Sequence, residues 1–154
     1  MVGFTKGIVG GIEILNAQEH DGELIREIQR GLNRPFRSDC KASEYLIACR
    51  DGMVVGCAAT ELNEEGGYFY GLAVKREWQR QGIGGQLMEA RLSALRASQR
   101  KYAVALVMFW NSRFFRKYGF SPVKRSLLPV STTRHSDLSN PAYARSAVML
   151  CITK

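Results

Sequence analysis

Apolar positions in this chain either alternate or recur at helical spacing, and they predict short strands interrupted by helices. Apolar residues that repeat every three or four positions predict a helix over 17–32 and a second helix over 82–100. A short third helix is predicted over 112–118, because Gly119 follows it and glycine commonly closes helices. Runs rich in β-branched and aromatic residues predict strands over 12–15, 45–50, 53–62, 68–75, 103–109 and 144–153.

The connections between these elements indicate a mixed α/β fold with a meander in its first half. Asp51-Gly52 separates two predicted strands and is a strong signal for a tight β-hairpin. A polar loop is predicted over 33–41, and residues from Val123 onward are expected to pair with the last strand. No repeat, linker or low-complexity tract interrupts the sequence, which predicts a single domain over 1–154.

Charge is distributed unevenly along the chain, whose formal net charge is +8. Residues 90–154 hold 12 Lys or Arg and one acid, whereas residues 1–89 hold 10 Lys or Arg and 13 acids. A basic half predicts an anionic partner. Nucleic acid is disfavoured, because the sequence has no recognised nucleic-acid motif and no repeat of aromatic and basic residues. The phosphates of a cofactor account for the charge more simply.

Cysteine usage and hydropathy predict a soluble cytoplasmic protein without a metal. The cysteines Cys40, Cys49, Cys57 and Cys151 have no C-x-x-C spacing, and the chain contains only two histidines, so we expect reduced thiols and no zinc site. The sequence has no apolar run of the length of a membrane span and no signal-peptide pattern at its start.

The clearest chemical signal lies between the strand at 68–75 and the helix at 82–100, in Gln79-Arg80-Gln81-Gly82-Ile83-Gly84. Glycine lets the main chain approach a ligand, and the first N–H groups of a helix have no partner inside it. The helix dipole and the charge of Arg80 add positive potential, so this loop predicts a pyrophosphate site. It is not a P-loop, which needs Lys-Ser/Thr after the last glycine, and it lacks the glycine spacing of a dinucleotide fingerprint.

With its flanks, this loop resembles the acetyl-CoA loop of the GNAT superfamily of N-acetyltransferases. Leu72-Ala73-Val74 matches the apolar step before that loop, and Phe114-Phe115 followed by Gly119-Phe120 matches a second family signature. The resemblance implies an α/β (α+β) GNAT fold, whose central, mostly antiparallel mixed sheet is flanked by helices and splayed at the acetyl-CoA site. It also implies an N-acetyltransferase that uses acetyl-CoA as cosubstrate and needs no metal.

The resemblance further implies which residues bind the cosubstrate. In GNAT enzymes the backbone amides of the strand before the loop commonly contact the thioester carbonyl. The expected acetyl-CoA contacts in this chain are Leu72, Ala73, Val74, Gln79, Arg80, Gln81, Gly82, Ile83, Gly84, Gly85, Asn111, Phe114, Phe115 and Lys117.

The catalytic residues are harder to assign, because Phe115 occupies the position at which many GNAT enzymes have a tyrosine that acts as general acid. Glu61 is a candidate base, directly or through water, and Tyr68 is a candidate for orienting a water. Tyr118 is a candidate acid three residues beyond the usual position. Two of them have a structural alternative, which is a solvated strand-end carboxylate for Glu61 and a packing aromatic for Tyr118.

Within the superfamily, the pattern looks like the acetyltransferase domain of N-acetylglutamate synthases, which also carry Phe at that position. Arg37-Ser38 and Arg145-Ser146 resemble substrate segments of that domain, which implies a carboxylate-bearing acceptor held by Arg37, Arg145 and Ser146. Two positions depart from the pattern: Tyr68 replaces a glutamate, and Ala144 replaces an arginine.

Three functions are therefore open. The first is acetylation of a small amine, an amino acid or another carboxylate-bearing molecule. The second is acetylation of protein or tRNA amines, and the third is a non-enzymatic, acetyl-CoA-binding regulator of a partner protein. The sequence does not name the acceptor, the pathway or the oligomeric state, for which a homodimer is one option. It also leaves open the role of the long polar loop predicted over 129–143, since loops of that length are often functional or disordered.

Overall fold

The computed structural model describes residues 7–32, 41–133, 136–143 and 146–153. These residues form two compact units, each discontinuous in sequence. The first unit comprises the described residues up to Thr60 together with Gly71–Ala94. The second comprises Glu61–Tyr70 together with the described residues from Leu95 onward.

Strands and helices alternate along the described residues in much the order that the sequence predicts. The strands are β1 Gly7–Val9, β2 Ile12–Asn16, β3 Tyr45–Arg50, β4 Met53–Leu62, β5 Gly66–Val74, β6 Tyr102–Val107, β7 Ser121–Pro122 and β8 Ala147–Ile152. The α-helices are α1 Gly22–Arg30, α2 Ile83–Ala97, α3 Ser112–Lys117 and α4 Val130–Thr133. Short 3-10 turns lie at Glu19–Asp21, Ala42–Glu44, Arg76–Trp78, Phe109–Asn111, Arg125–Leu127, Ser136–Ser139 and Pro141–Tyr143.

In the first unit, which includes β5 from Gly71 onward, each strand from β2 to β5 is a hydrogen-bonded neighbour of the strand before it. The pairings among β1, β2, β3 and β4 are antiparallel, which confirms the predicted meander. Asp51 and Gly52, which join β3 to β4, have φ values of 50° and 79°. A two-residue type I′ hairpin needs positive φ at both positions, and Asp-Gly favours it, so the predicted hairpin is confirmed.

The core of the first unit is built from alternate positions of its strands and from one face of α2. Ile14, Ala48 and Val55 are buried strand residues in one apolar cluster. Ile83 and Leu87 from the first turns of α2 belong to the same cluster. The start of α2 is therefore held in place by apolar packing as well as by its backbone hydrogen bonds.

In the second unit the strand order is β5, β6, β8, β7. β6 runs parallel to β5 from the pair Gly66 and Tyr102 onward, and it is antiparallel to β8. The pairing expected from Val123 onward begins two residues earlier, since β7 already pairs with β8. The Val123 N–H still donates to the Val148 carbonyl at 3.0 Å. Buried members of this unit's core are Tyr68, Tyr102, Val104, Leu128 and Val148.

Several predicted boundaries of helices and strands are wrong. The helix predicted over 17–32 is a 3-10 turn followed by α1, because the Asp21 carboxylate accepts the Gln18 N–H at 2.7 Å. The helix predicted over 82–100 stops at Ala97, and Gln99 just beyond it has a φ of 58°. The strand predicted over 103–109 stops at Val107 and gives way to a 3-10 turn.

Two other segments also differ from expectation. Strand β1 was not predicted, because three residues are too few to show a pattern. The segment 129–143, expected to be a loop, contains α4 and two 3-10 turns within its described residues. Of the predicted polar loop over 33–41, only Lys41 lies inside the described residues.

Gly66, the first residue of β5, offers a direct stability test. A Cβ built there would be 2.5 Å from Cε2 of Tyr102 and 2.6 Å from the Tyr102 carbonyl oxygen. We expect Gly66→Ala to lower the free energy of unfolding by about 1–3 kcal/mol, because the collision forces the strand or the ring to move. Denaturant unfolding measures the change.

Gly22→Ala is the matched control, because its added methyl would be 3.8 Å from the flexible Arg26 guanidinium. In the first turn of a helix this change should be neutral or stabilise by up to about 1 kcal/mol. Equal destabilisation by the two variants would contradict the steric explanation.

Candidate active site

The glycine loop lies where the sequence predicts it, between β5 and the first turn of α2. The Gly82 carbonyl accepts the Gln86 N–H at 3.0 Å, so Gly82 is the residue from which the helix begins. The N–H groups of Ile83, Gly84 and Gly85 precede this first donor of the helical ladder. Gly82 has a φ of 81°, and a Cβ there would find nothing within 4 Å. The open approach and the helix N-terminus fit a diphosphate.

Side chains on either side brace this loop against the rest of the first unit. Gln79 donates from Nε2 to the Val74 carbonyl at 2.9 Å, which ties the loop to the end of β5. The Arg50 guanidinium lies 5.4 Å from the centre of the Trp78 ring, a cation–π contact beneath the 3-10 turn. Arg80 is exposed and has a φ of 60°, so its charge faces solvent near the helix start.

The end of β5 has an unusual backbone conformation. Gly71 has a φ of 64° inside the strand, a value that other residues rarely adopt. Leu72 and Val74 beyond it are half-buried, while Ala73 is buried between them. The Lys75 N–H, one residue beyond β5, donates to the Val55 carbonyl of β4 at 2.9 Å.

In the second unit, Tyr68 forms a hydrogen bond that the sequence did not reveal. Its hydroxyl donates to Oδ2 of Asp137 at 2.9 Å, and each residue is only 3% exposed. The Tyr68 ring also stacks on Tyr70, with centroids 5.9 Å apart. Asp137 is the only acid after Glu89, and that isolation was the signal that could have identified it. Glu61, the other carboxylate candidate, is half-buried near the end of β4.

The aromatic pair that carries the second signature lies on α3. Phe115 is buried and packs edge-to-face on Phe120 at 5.3 Å. Phe114 lies 5.1 Å from Tyr118 between ring centroids, and the Lys117 ammonium is 5.8 Å from the centre of the Tyr118 ring. These contacts support a packing role for Tyr118.

Of the remaining predicted site residues, the structure describes Asn111 and Ser146. Asn111 ends the 3-10 turn before α3 and is half-buried. Ser146 donates from Oγ to the Met108 sulfur at 3.2 Å, and its N–H donates to the Tyr143 carbonyl at 3.0 Å. Arg37 and Arg145 lie outside the described residues.

Cys49 and Cys151 are thiols in environments that disfavour the thiolate. Burial raises the pKa of Cys49, helped by the charges of Asp21 and Glu13, and burial also raises the pKa of Cys151. Within the described ranges, no cluster of three or more His, Cys, Asp or Glu residues could hold a metal ion. Among the helices in the described part of the chain, none combines the length and apolar character of a membrane span.

A family model of the acetyltransferase (GNAT) domain matches residues 41–122, which is more than half of the chain. The chain therefore belongs to the GNAT acetyltransferase family, as its glycine loop and aromatic signature predicted. No match was found among curated proteins.

Solved structures confirm the GNAT fold. N-acetylglutamate synthase from Neisseria gonorrhoeae, complexed with coenzyme A and N-acetyl-glutamate, has a TM-score of 0.81 and 24% identity over 96% of this chain. This chain covers 36% of that protein, about a third of its length. Rv2747 from Mycobacterium tuberculosis, solved with CoA, has a TM-score of 0.76 and 18% identity over 90% of this chain and 98% of its own. The ribosomal-protein-S18-alanine N-acetyltransferase from Escherichia coli has a TM-score of 0.72 and 18% identity, covering 93% and 94% of the two chains.

The geometry of the glycine loop predicts that a bulky residue at Gly84 prevents diphosphate binding. Coenzyme A is the probe, because two of the similar structures contain it. We expect Gly84→Val to weaken coenzyme A binding by about tenfold or more in calorimetry, since its side chain would occupy the approach to the first helical amides.

Ser93→Val is the matched control, because it introduces the same side chain at an exposed position of the same helix. It should bind coenzyme A as the wild type does. Wild-type affinity in Gly84→Val would rule out close approach of the diphosphate to this loop.

Proposed function

We propose that this protein transfers the acetyl group of acetyl-CoA to the amine of a small molecule that carries a carboxylate, with an amino acid as the simplest acceptor. The observation that carries the acetyl-CoA part is the strand, glycine loop and helix start of the first unit, in a chain of the GNAT family. We also propose that residues 1–154 are one acetyltransferase domain.

Cosubstrate binding is assigned mainly to backbone groups. Amides of residues 80–85 would hold the pyrophosphate, and the exposed Arg80 would add positive charge. Amides of Leu72–Val74 would polarise the thioester carbonyl, which is the group that gains negative charge during acyl transfer. The family resemblance adds Asn111, Phe114, Phe115 and Lys117 as further contacts.

The chemical step needs proton movement but little else. The ammonium of the acceptor first loses a proton, and its nitrogen then bonds to the carbonyl carbon and gives up a second proton. The C–S bond breaks and the thiolate gains one proton, which leaves an amide, a thiol and one proton released overall. Phe115 cannot supply that proton, and its burial on Phe120 supports a packing role beside the thioester. Solvent or the acceptor's own proton would then serve the thiolate.

Tyr68 is our main candidate for handling the acceptor's proton. Its hydroxyl donates to Asp137, and a phenolic oxygen can also accept a hydrogen bond from a water or an amine. The carboxylate of Asp137 would favour that orientation and act as a positioning group. Glu61 is the alternative base, and Tyr118, whose ring packs on Phe114, is the alternative acid.

A carboxylate-bearing acceptor is supported by three observations. The second half of the chain is strongly basic. Arg37, Arg145 and Ser146 match substrate segments in the sequence pattern of N-acetylglutamate synthases. The structure of one such synthase, solved with N-acetyl-glutamate, has a TM-score of 0.81 to this chain.

Acetylation of protein amines is the second candidate. Its specific support is the likeness to the Escherichia coli S18-alanine N-acetyltransferase and to Arabidopsis thaliana Naa50, solved with a bisubstrate analogue, at TM-scores of 0.72 and 0.69. Identities of 18% and 14% carry this no further than the fold.

The proposed acceptor class is tested by comparing each free amino acid with its decarboxylated amine in an acetyl-transfer assay. We expect the amino acid to be acetylated far faster. Arg37→Ala and Arg145→Ala should each raise the Michaelis constant about ten- to a hundredfold, because a charge-assisted hydrogen bond contributes about 1.5–3 kcal/mol.

Arg96→Ala, which removes an exposed arginine of α2, is the control and should leave the Michaelis constant unchanged. Equal acetylation of the amino acid and its amine would refute the carboxylate proposal. Turnover restricted to peptide amines would favour the second candidate.

The Tyr68 assignment is tested by Tyr68→Phe and Asp137→Asn. Each should lower kcat by about ten- to a hundredfold with little change in the Michaelis constant, because the contribution lies in proton handling and not in acceptor binding. Steady-state kinetics with the acceptor identified by the screen gives both constants.

Tyr70→Phe removes a hydroxyl from the ring stacked on Tyr68 and serves as the control. A loss of stability without a change in kcat in Tyr68→Phe would mean that the Tyr68–Asp137 bond only holds the fold.

A further inference from the structure

We infer that Gln29 of α1 is a positioning residue for the thioester-binding amides of β5, because it holds the carbonyl of Gly71. The inference rests on the proposed acetyl transfer, in which amides of Leu72–Val74 polarise the carbonyl. Every group involved belongs to the first unit.

The conformation of Gly71 sets the direction of the amides that follow it. Its φ of 64° lies in the left-handed region, which breaks the regular alternation of a strand. The next peptide N–H belongs to Leu72, the first of the proposed carbonyl contacts. A trans peptide is planar, so the Gly71 carbonyl and the Leu72 N–H point in opposite directions within one rigid plane. A hydrogen bond that fixes the Gly71 carbonyl therefore also fixes the direction of the Leu72 N–H.

Gln29 holds it. Its Nε2 donates to the Gly71 carbonyl at 2.6 Å, and the same nitrogen is 3.5 Å from the Cys57 sulfur. The Cys57 thiol also points at this carbonyl, with the sulfur 3.7 Å from the oxygen. Two donors from separate elements, α1 and β4, therefore converge on one backbone oxygen.

The burial of Gln29 argues that its hydrogen bond matters. The residue is 4% exposed and lies on the face of α1 that also buries Ile25 and Ile28. An apolar side chain would be the ordinary choice there, because a buried amide without hydrogen bonds costs free energy. A glutamine at this position is explained by the carbonyl that it reaches.

Tyr45 restrains the same glycine from another side. A Cβ built on Gly71 would be 2.7 Å from the Tyr45 hydroxyl and 3.1 Å from Nε2 of Gln29. The space around the Cα is thus closed to any side chain, while the carbonyl is hydrogen-bonded. Rotation of the peptide between Gly71 and Leu72 would have to break the Gln29 hydrogen bond.

The test replaces the donor and reads the thioester carbonyl directly. Gln29→Met keeps the length and approximate volume of the side chain but cannot donate, and Gln29→Leu removes the donor with a shorter side chain. Acetyl-CoA labelled with ¹³C at the carbonyl is bound to each protein, and infrared difference spectra give the stretching frequency. Calorimetry gives the affinity for coenzyme A, which lacks that carbonyl.

In the wild type, binding should lower the carbonyl frequency from its value in solution. In both Gln29 variants most of that displacement should disappear, and thiol release from acetyl-CoA should slow by about tenfold, below the effect of deleting a direct donor. Coenzyme A affinity should stay within about twofold of the wild type, because the pyrophosphate loop is untouched. Ile28→Val, the neighbouring buried change on α1, should keep the wild-type frequency.

The outcomes separate this inference from the proposed function. Wild-type protein that fails to bind coenzyme A, or binds acetyl-CoA without a frequency change, would overturn the proposed function and the inference with it. A wild-type displacement that persists in both Gln29 variants would overturn the inference alone. Parallel loss of coenzyme A affinity and of the displacement in the Gln29 variants would also overturn it, since Gln29 would then support the fold as a whole. Coenzyme A binding identifies folded variants.

Discussion

A backbone N–H that is paired within a sheet or helix is not available to a ligand, and the first unit is organised around this constraint. Its backbone departs from regular geometry at two places. Gly71 interrupts β5 with a positive φ, and α2 begins at Ile83, so that its first N–H groups precede the helical ladder. Buried packing of Ile83 and Leu87 and the Gln79 hydrogen bond keep the second of these places in position.

Several buried polar side chains donate a hydrogen bond to one defined acceptor. Gln29 reaches the Gly71 carbonyl, Tyr68 reaches Asp137, and both donors are almost completely buried. Arg91 of α2 is 2% exposed and donates from Nη1 to the Ala59 carbonyl at 3.0 Å. Burial lowers the pKa of Arg91 to about 9, against the opposing effect of Cys57 and Tyr45, so its guanidinium is still charged at neutral pH. Each of these donors therefore reaches a backbone carbonyl or a carboxylate at a defined place.

Family membership defines the protein class more sharply than it defines the acceptor. Structures with this fold include an amino-acid acetyltransferase and a ribosomal-protein acetyltransferase, at identities of 24% and 18% to this chain. A fold hosts many acceptors because the cosubstrate is bound through backbone groups, whereas the acceptor is selected by individual side chains. Specificity must therefore be read from local chemistry.

Local sequence determined the elements whose signals are short-range. Asp51-Gly52 specified a hairpin through its tolerance of positive φ, and the glycines of the loop from Gln79 to Gly84 specified a turn that leads directly into a helix start. Strands β3 and β4 matched their predicted bounds, because their apolar runs end at clear turn residues. Helix ends and the three-residue β1 were missed, because they depend on single hydrogen bonds or on pairing with a neighbour.

Only the tertiary structure decided which distant residues meet. Tyr68 and Asp137 are 69 positions apart, and Gln29 and Gly71 are 42 apart. No periodicity or motif encodes such pairs, because each depends on how strands and helices pack after they have formed. The sequence alone determined the family, the fold class and the glycine loop, since these rest on local backbone preferences and short motifs. Folding determined the buried partners of Tyr68 and Gly71, because a hydrogen bond between distant residues exists only once packing has excluded water and brought donor and acceptor together.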